Sequence, residues 1–244
     1  MFRIITLFLF LIICHYDSMA QFTDSTFYYL GYASSGTANK TNDGDSYLLN
    51  NAVKFSVRKK SISLNATNSW MYGKQDQKLT NNDFSSSLDF NLYKTFPHFF
   101  YWGLANYNTS YSLKINNQLL AGAGIAYNLV DKKNTLINLS NGILYDKSDL
   151  LLNDTIPDRY HTFRNSLRLL IRFNIQNMII FDGSGFLQNS LKEKEDYILR
   201  SNTSLSFKLM KWLSLTTNYN YNKINRTERR NSLLSYGLTV ERYF

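Results

Sequence analysis

Cysteine, proline and histidine are scarce in this 244-residue chain, and each shortage removes a class of function. It contains one Cys, two Pro and three His. Cys14 sits inside an apolar amino-terminal run, so a chain cut after Ala20 could form no disulfide, thiolate nucleophile or cysteine metal site. His98 and His161 then stand far apart and give a transition metal no workable ligand set. No glycine-rich loop cradles a phosphate, and no cofactor is expected. Acidic residues are also few, 18 against 27 Lys and Arg, for a net charge of +9. After the first twenty residues no apolar stretch is long enough to cross a bilayer as a helix. Aromatic residues, in contrast, are plentiful, with 18 Tyr, 17 Phe and 3 Trp. The apolar side chains must therefore be spread over many short segments.

The amino terminus has the layout of an export signal. Arg3 supplies positive charge, Ile4 to Cys14 is almost unbroken apolar, and Ser18-Met19-Ala20 offers small residues at a signal-peptidase site. We expect residues 1–20 to be a cleaved signal and residues 21–244 to form one domain. The sequence Leu11-Ile12-Ile13-Cys14 is faintly like a lipobox, but the bulky Ile before Cys argues against lipidation.

Beyond the signal the dominant pattern is alternation at period two, which puts apolar side chains on one face of a strand and polar ones on the other. Leu49, Val53, Phe55 and Val57 oppose Asn50, Ala52, Lys54, Ser56 and Arg58. Leu213, Leu215, Tyr219 and Tyr221 oppose Ser214, Thr216, Asn218, Asn220 and Asn222. Twelve such segments can be counted, with ten or fourteen as the alternatives. Those near Gly103 and Gly183 leave open which face is which. Connections alternate between short turns, such as Arg58-Lys59-Lys60, and longer polar stretches at 36–45, 73–82, 111–116, 146–158, 189–196 and 222–230. An antiparallel transmembrane β-barrel of the outer membrane has this asymmetry, with short turns and both termini on the periplasmic side.

A soluble sandwich or lipocalin-like barrel would carry its charges on an outward polar face. Here the polar face is mostly Ser, Thr and Asn, and most charges lie in connections. Tyr47, Trp70, Tyr72, Trp102, Tyr127, Tyr145, Trp212, Tyr221 and Phe244 fall near segment ends, as interfacial girdles require. The last segment carries Tyr236, Leu238 and Val240 on one face and ends on the aromatic Phe244. That ending resembles the strand by which barrel-assembly machinery recognises its clients, so the machinery is an expected partner.

Gly31-Tyr-Ala-Ser-Ser-Gly-Thr-Ala-Asn39, Trp70-Met-Tyr-Gly-Lys-Gln-Asp-Gln77 with Thr80-Asn81, Gly103-Leu-Ala-Asn-Tyr107 and Leu120-Ala-Gly-Ala-Gly-Ile-Ala-Tyr127 are similar to segments of a barrel family. Its members are labelled salt-induced outer-membrane protein, or YdiY-like. The resemblance spans roughly residues 27–244 and implies an outer-membrane barrel, without implying a reaction or a catalytic set.

Chemistry must then come from the lumen. Arg164, Arg168 and Arg172 share one strand face, and Lys54, Arg58, Arg200 and Lys208 also read as inward, against Asp89, Asp182 and Glu241. Two readings stay open: a solvated basic passage that favours anions, or a charge network that fills a narrow interior. We expect a non-enzymatic protein, structural or a narrow passive channel for small solutes. The alternative class is a lipid hydrolase working at the outer rim with His161, although no nucleophile motif supports it. Asn42-Asp43-Gly44-Asp45 could offer oxygens to a divalent cation but reads more simply as a turn. The basic stretch Lys223 to Arg230 suits lipid headgroups or lipopolysaccharide better than nucleic acid.

Overall fold

A computed structural model of the protein describes residues 27–42, 44–153 and 155–244. The signal-like residues 1–20 and Asp43 lie outside the described residues. The chain forms twelve strands: β1 (Tyr28–Thr41), β2 (Gly44–Lys59), β3 (Ile62–Gln75), β4 (Lys78–Phe96), β5 (Phe99–Ser110), β6 (Ile115–Lys132), β7 (Thr135–Leu152), β8 (Ile156–Ile175), β9 (Ile179–Ser190), β10 (Tyr197–Met210), β11 (Leu213–Ile224) and β12 (Arg229–Tyr243). Each pairs antiparallel with its neighbours in sequence, and β12 returns to β1 to close the barrel. The seam runs from Tyr29 opposite Tyr243 to Ser35 opposite Gly237. It is finished by the Tyr28 N–H donating to the Phe244 carbonyl at 2.8 Å and the Phe244 N–H donating back at 3.0 Å. Closure pairs the two terminal strands over Tyr29–Ser35, where hydrocarbon would penalise a bare backbone edge by several kcal/mol per group.

The alternation decides the two surfaces. Leu30, Val53, Trp70, Leu88, Ile125, Ile143, Leu167, Leu215 and Leu238, drawn from nine strands, are all exposed on the outside. A continuous apolar belt of this extent suits a lipid-facing surface, because a water-soluble monomer rarely exposes apolar patches beyond a few hundred Å². This is the fold of a transmembrane outer-membrane barrel. The segment around Gly183 is now unambiguous: Asp182, Phe186 and Gln188 share register with Arg172, Arg168 and Ser166, on the inner face.

The expected long loops are largely absent. One end of the barrel has connections of two or three residues, and at the other end the chain turns within two to six. The polar stretches assigned to loops instead continue the strands, so that Thr41 still pairs with Gly44, Gln75 with Lys78 and Leu152 with Ile156. Polar residues hold a ladder as well as apolar ones, since backbone pairing does not depend on the side chain. Asp76 and Gln77, both at positive φ (49° and 63°), make the tight hairpin whose twist suits two antiparallel strands. Pro157, expected between segments, lies inside β8 opposite Leu151, beyond the last pair that β8 makes with β9. Its missing N–H therefore falls on an unpaired side.

One half of the interior is packed with apolar side chains. Phe100, Trp102, Ala126 and Leu144 form a buried cluster with Tyr93 and Leu104, and Leu113, Ile115, Leu150, Ile198 and Ile224 form a second with Tyr160. Trp102 thus corrects its assignment to an outer girdle. It is only 7% exposed, shares the inner face with Leu104 and Asn106, and donates from Nε1 to the Ile125 carbonyl at 3.2 Å. Gly124 and Gly142, paired across β6 and β7, supply the space: a Cβ on either would press against Trp102 Cζ2.

Candidate functional site in the barrel lumen

The inner faces of β1–β4 and β10–β12 are lined by short polar side chains and leave a cavity of about 510 Å³. Ser35, Asn50, Thr67, Ser87, Asn202 and Asn220 are among the residues around it. Their shortness is what keeps this half of the lumen open. Charged side chains cross or border it at three levels.

Nearest the short-turn end, Lys208 Nζ meets Glu241 Oε1 at 2.9 Å, and Arg172 Nε meets Asp182 Oδ1 at 2.5 Å. The Tyr29 hydroxyl donates to Glu241 Oε2 at 3.3 Å. Lys54 lies within electrostatic reach of Asp182, Asp89 and Glu241, with Nζ 5.8 Å from the Tyr29 ring centre. The Arg58 guanidinium sits 5.7 Å from the Tyr93 ring. Neither Lys54 nor Arg58 makes an ion pair among the described residues.

At mid-height two arginines reach across the lumen. Arg168 on β8 approaches Asp89 on β4, with Nη1 to Oδ1 at 3.7 Å. Arg200 on β10 donates from Nη2 to Gln118 Oε1 on β6 at 2.9 Å and from Nη1 to Asn106 Oδ1 on β5 at 3.5 Å.

Toward the other end a carboxylate–arginine cluster occupies part of the interior. Arg164 is fully buried and donates from Nε to Asp146 Oδ2 at 2.6 Å and from Nη2 to both oxygens of Asp196 at 2.9 and 3.0 Å. The Tyr160 hydroxyl accepts from Arg164 Nη2 at 3.0 Å and donates to Asp146 Oδ2 at 3.2 Å. Arg226, in the 3₁₀ turn Asn225–Thr227 between β11 and β12, pairs with Asp158 at 2.5 Å, Glu193 at 2.9 Å and Asp196 at 3.3 Å. Its guanidinium lies 4.1 Å from the Tyr160 ring centre. Burial works against its charge, but the hydrogen bond and charge of Asp158, with those of Glu193 and Asp196, outweigh it and raise the Arg226 pKa. The loop cation expected to face headgroups is instead turned back and pinned.

Asp83, Asp146 and Asp196 escaped the sequence reading, and Arg226 entered it only as part of the basic stretch Lys223 to Arg230. Asp83 continues the period of Ser85, Ser87 and Asp89, so extending that segment would have found it. It accepts from Ser110 Oγ at 2.8 Å and Ser112 Oγ at 2.7 Å, which anchors the β5–β6 connection. Asp146 shares the inward period of β7 but stood at an assumed strand end. Asp196 and Arg226 lie outside the strands, where period two carries no signal.

His161 faces outward on β8, exposed, with the Tyr145 ring 6.3 Å away. Arg159 and Phe163 share its face, whereas Tyr160, Thr162 and Arg164 point to the other side. Among the described residues, no group of three or more His, Cys, Asp or Glu is placed to hold a metal ion.

A protein-family model described as "Protein of unknown function, DUF481" matches residues 31–241, from the first strand to the last. The chain belongs to this family. Among curated proteins none matches it in sequence. Among solved structures this DUF481 barrel is similar to the NanC porin, with a TM-score of 0.53 and 8% identity over 88% of this chain and 99% of that one. It is also similar to the COG4313 outer membrane channel from Pseudomonas putida F1, with a TM-score of 0.50 and 9% identity over 92% of this chain and 97% of that one. At such identities the likeness is one of fold, a porin- or channel-like outer-membrane barrel.

Proposed function

We propose that the protein is a non-enzymatic barrel of the outer membrane whose half-open lumen is a narrow passive path for small solutes. The observation that supports this most directly is the 510 Å³ cavity, lined on one side by Ser, Thr and Asn, inside a closed barrel with an apolar exterior. A purely structural barrel has no need to keep one half of its interior lined with Ser, Thr and Asn while packing the other half with Trp, Phe and Leu. Anions are the favoured solutes, because Lys54, Arg58 and Arg200 stand in the lumen without an ion pair among the described residues, and cations lining a passage select by sign. Arg164, Arg168, Arg172 and Lys208 are offset by carboxylates and add less.

The short-turn end, with both chain ends, is the periplasmic one in this reading. Tyr236, Leu238, Val240 and Phe244 present the assembly signal, and lipid and lipopolysaccharide meet the belt and outer rim. The narrower kinship with the salt-induced outer-membrane proteins rests on the Gly31–Asn39 and Trp70–Gln77 segments and names no solute. Purified protein in a planar bilayer should give discrete conductance steps, with a reversal potential shifted toward anions in a salt gradient. A silent bilayer would leave only the structural role, and a cation preference would refute the choice of solute.

A further inference from the structure

Arg200 differs from the other lumen arginines in the company it keeps. Its hydrogen-bond acceptors, Gln118 and Asn106, are neutral amides. Arg164, Arg168, Arg172 and Arg226 each reach a carboxylate, and Arg200 reaches none among the described residues. A half-buried guanidinium whose hydrogen bonds go only to amide oxygens has no carboxylate in contact to offset its charge in a medium that opposes it. The arrangement calls for an anion from solution.

The neighbours of Arg200 define where that anion sits. Phe186 is its register partner on β9, and Arg168 is the partner of Phe186 on β8. Strand spacing places the two arginine Cα atoms about 10 Å apart, with the aromatic ring between them. The Arg168 guanidinium lies 5.8 Å from that ring, and its Nε has no hydrogen-bond partner. Gln188, two residues further along β9 and only 2% exposed, has an unpartnered Oε1. All four side chains line the same cavity. The row thus combines a guanidinium held only by neutral amide oxygens, an unused guanidinium N–H and an aromatic ring between them, while Gln188 Oε1, an acceptor, takes no part in holding an anion.

We propose that the Arg168–Phe186–Arg200 row binds a small monovalent carboxylate. Asp89 already offsets Arg168, so the net positive charge available is about one, which suits a monoanion rather than a phosphate dianion. The planar fork of a guanidinium matches a carboxylate in two parallel hydrogen bonds, which a spherical halide cannot make. The site deepens the channel reading and rests on it for access from solution.

The test uses ¹³C-acetate with the full-length protein in detergent, where saturation-transfer NMR reads binding whether or not the barrel conducts. Acetate should bind saturably, and Arg200→Gln should weaken it at least tenfold, with Arg168→Gln weakening it less. Arg200→Lys, which keeps the charge and loses the fork, should fall between them and serves if the Gln variant does not fold. Arg159→Gln, on the outer face, is the control. Saturable binding that is unchanged in Arg200→Gln, or no saturable binding at all, would overturn the proposal. Displacement by equimolar chloride as readily as by formate would overturn the choice of carboxylate. A barrel that conducts without binding acetate keeps the channel and loses this site, and one that binds without conducting does the reverse.

Discussion

Replacing Arg164 with Gln should be among the most destabilising single changes in this barrel. The side chain is 0% exposed, and it is the cation shared by Asp146, also 0% exposed, and Asp196 at 3%. Its removal strands two buried carboxylates and leaves Tyr160 without one donor. Breaking a buried pair from one side costs about 3–5 kcal/mol, because the surviving charge is uncompensated. At 1.4 kcal/mol per factor of ten, that is roughly two to four decades in the unfolding equilibrium. Arg226 also contacts Asp196, at 3.3 Å, so the loss should lie toward the lower figure. The Arg159–Asp149 pair on the same two strands is the internal standard. Its arginine is 80% exposed, and solvent screening leaves such pairs with little effect on stability. Urea titration of protein in lipid vesicles, read by the mobility difference between folded and unfolded barrel on a gel, measures both. Adding Asp146→Asn to Arg164→Gln should recover part of the loss, because one stranded charge disappears with it. If Arg164→Gln costs no more than Arg159→Gln, or the second change makes matters worse, the charge argument is wrong.

Gly142→Val should destabilise by about 1–3 kcal/mol through overpacking, since a Cβ there would lie 2.5 Å from both the Ala123 carbonyl oxygen and Trp102 Cζ2. Trp102→Ala in the same chain should relieve only the side-chain part, and full rescue in the same urea titration would show that the backbone contact is unimportant. Deleting Phe244 removes the hydrogen-bond pair with Tyr28 and a ring stacked 5.7 Å from the Tyr28 ring. The fraction of folded protein in the membrane should then fall well below that of Asp76→Ala at a hairpin tip, and equal fractions would refute a special role for the final residue.

How much was legible in the chain follows from how local each determinant is. Alternation along Leu234–Val240 and Leu49–Val57 is a property of adjacent residues, so the antiparallel barrel, its twelve strands and the faces of the regular segments could be read directly, while the faces near Gly103 and Gly183 stayed open. Strand ends were harder. Thr, Asn and Ser in 36–45 and 73–82 look like loop, yet their backbones pair, because a hairpin beyond the membrane needs a tight turn rather than an apolar face. Trp102 was misplaced for a related reason. Its position near a segment end suited a girdle, and only the facing glycines of β6 and β7 reveal the space it fills.

By itself, then, the sequence determined that this is a closed barrel with a lipid-like exterior and a basic, hydroxyl- and amide-rich interior, because period two sorts side chains without knowledge of distant partners. The tertiary structure alone decided which half of that interior is packed and which is open, that Arg226 folds back onto Asp158, Glu193 and Asp196, and that Arg164 is neutralised while Arg200 is not. Those outcomes depend on contacts between residues 18 to 94 positions apart, between neighbouring strands, across the lumen or between its loops. Whether a charge is paired is settled by which strands closure brings face to face, and no local pattern encodes that.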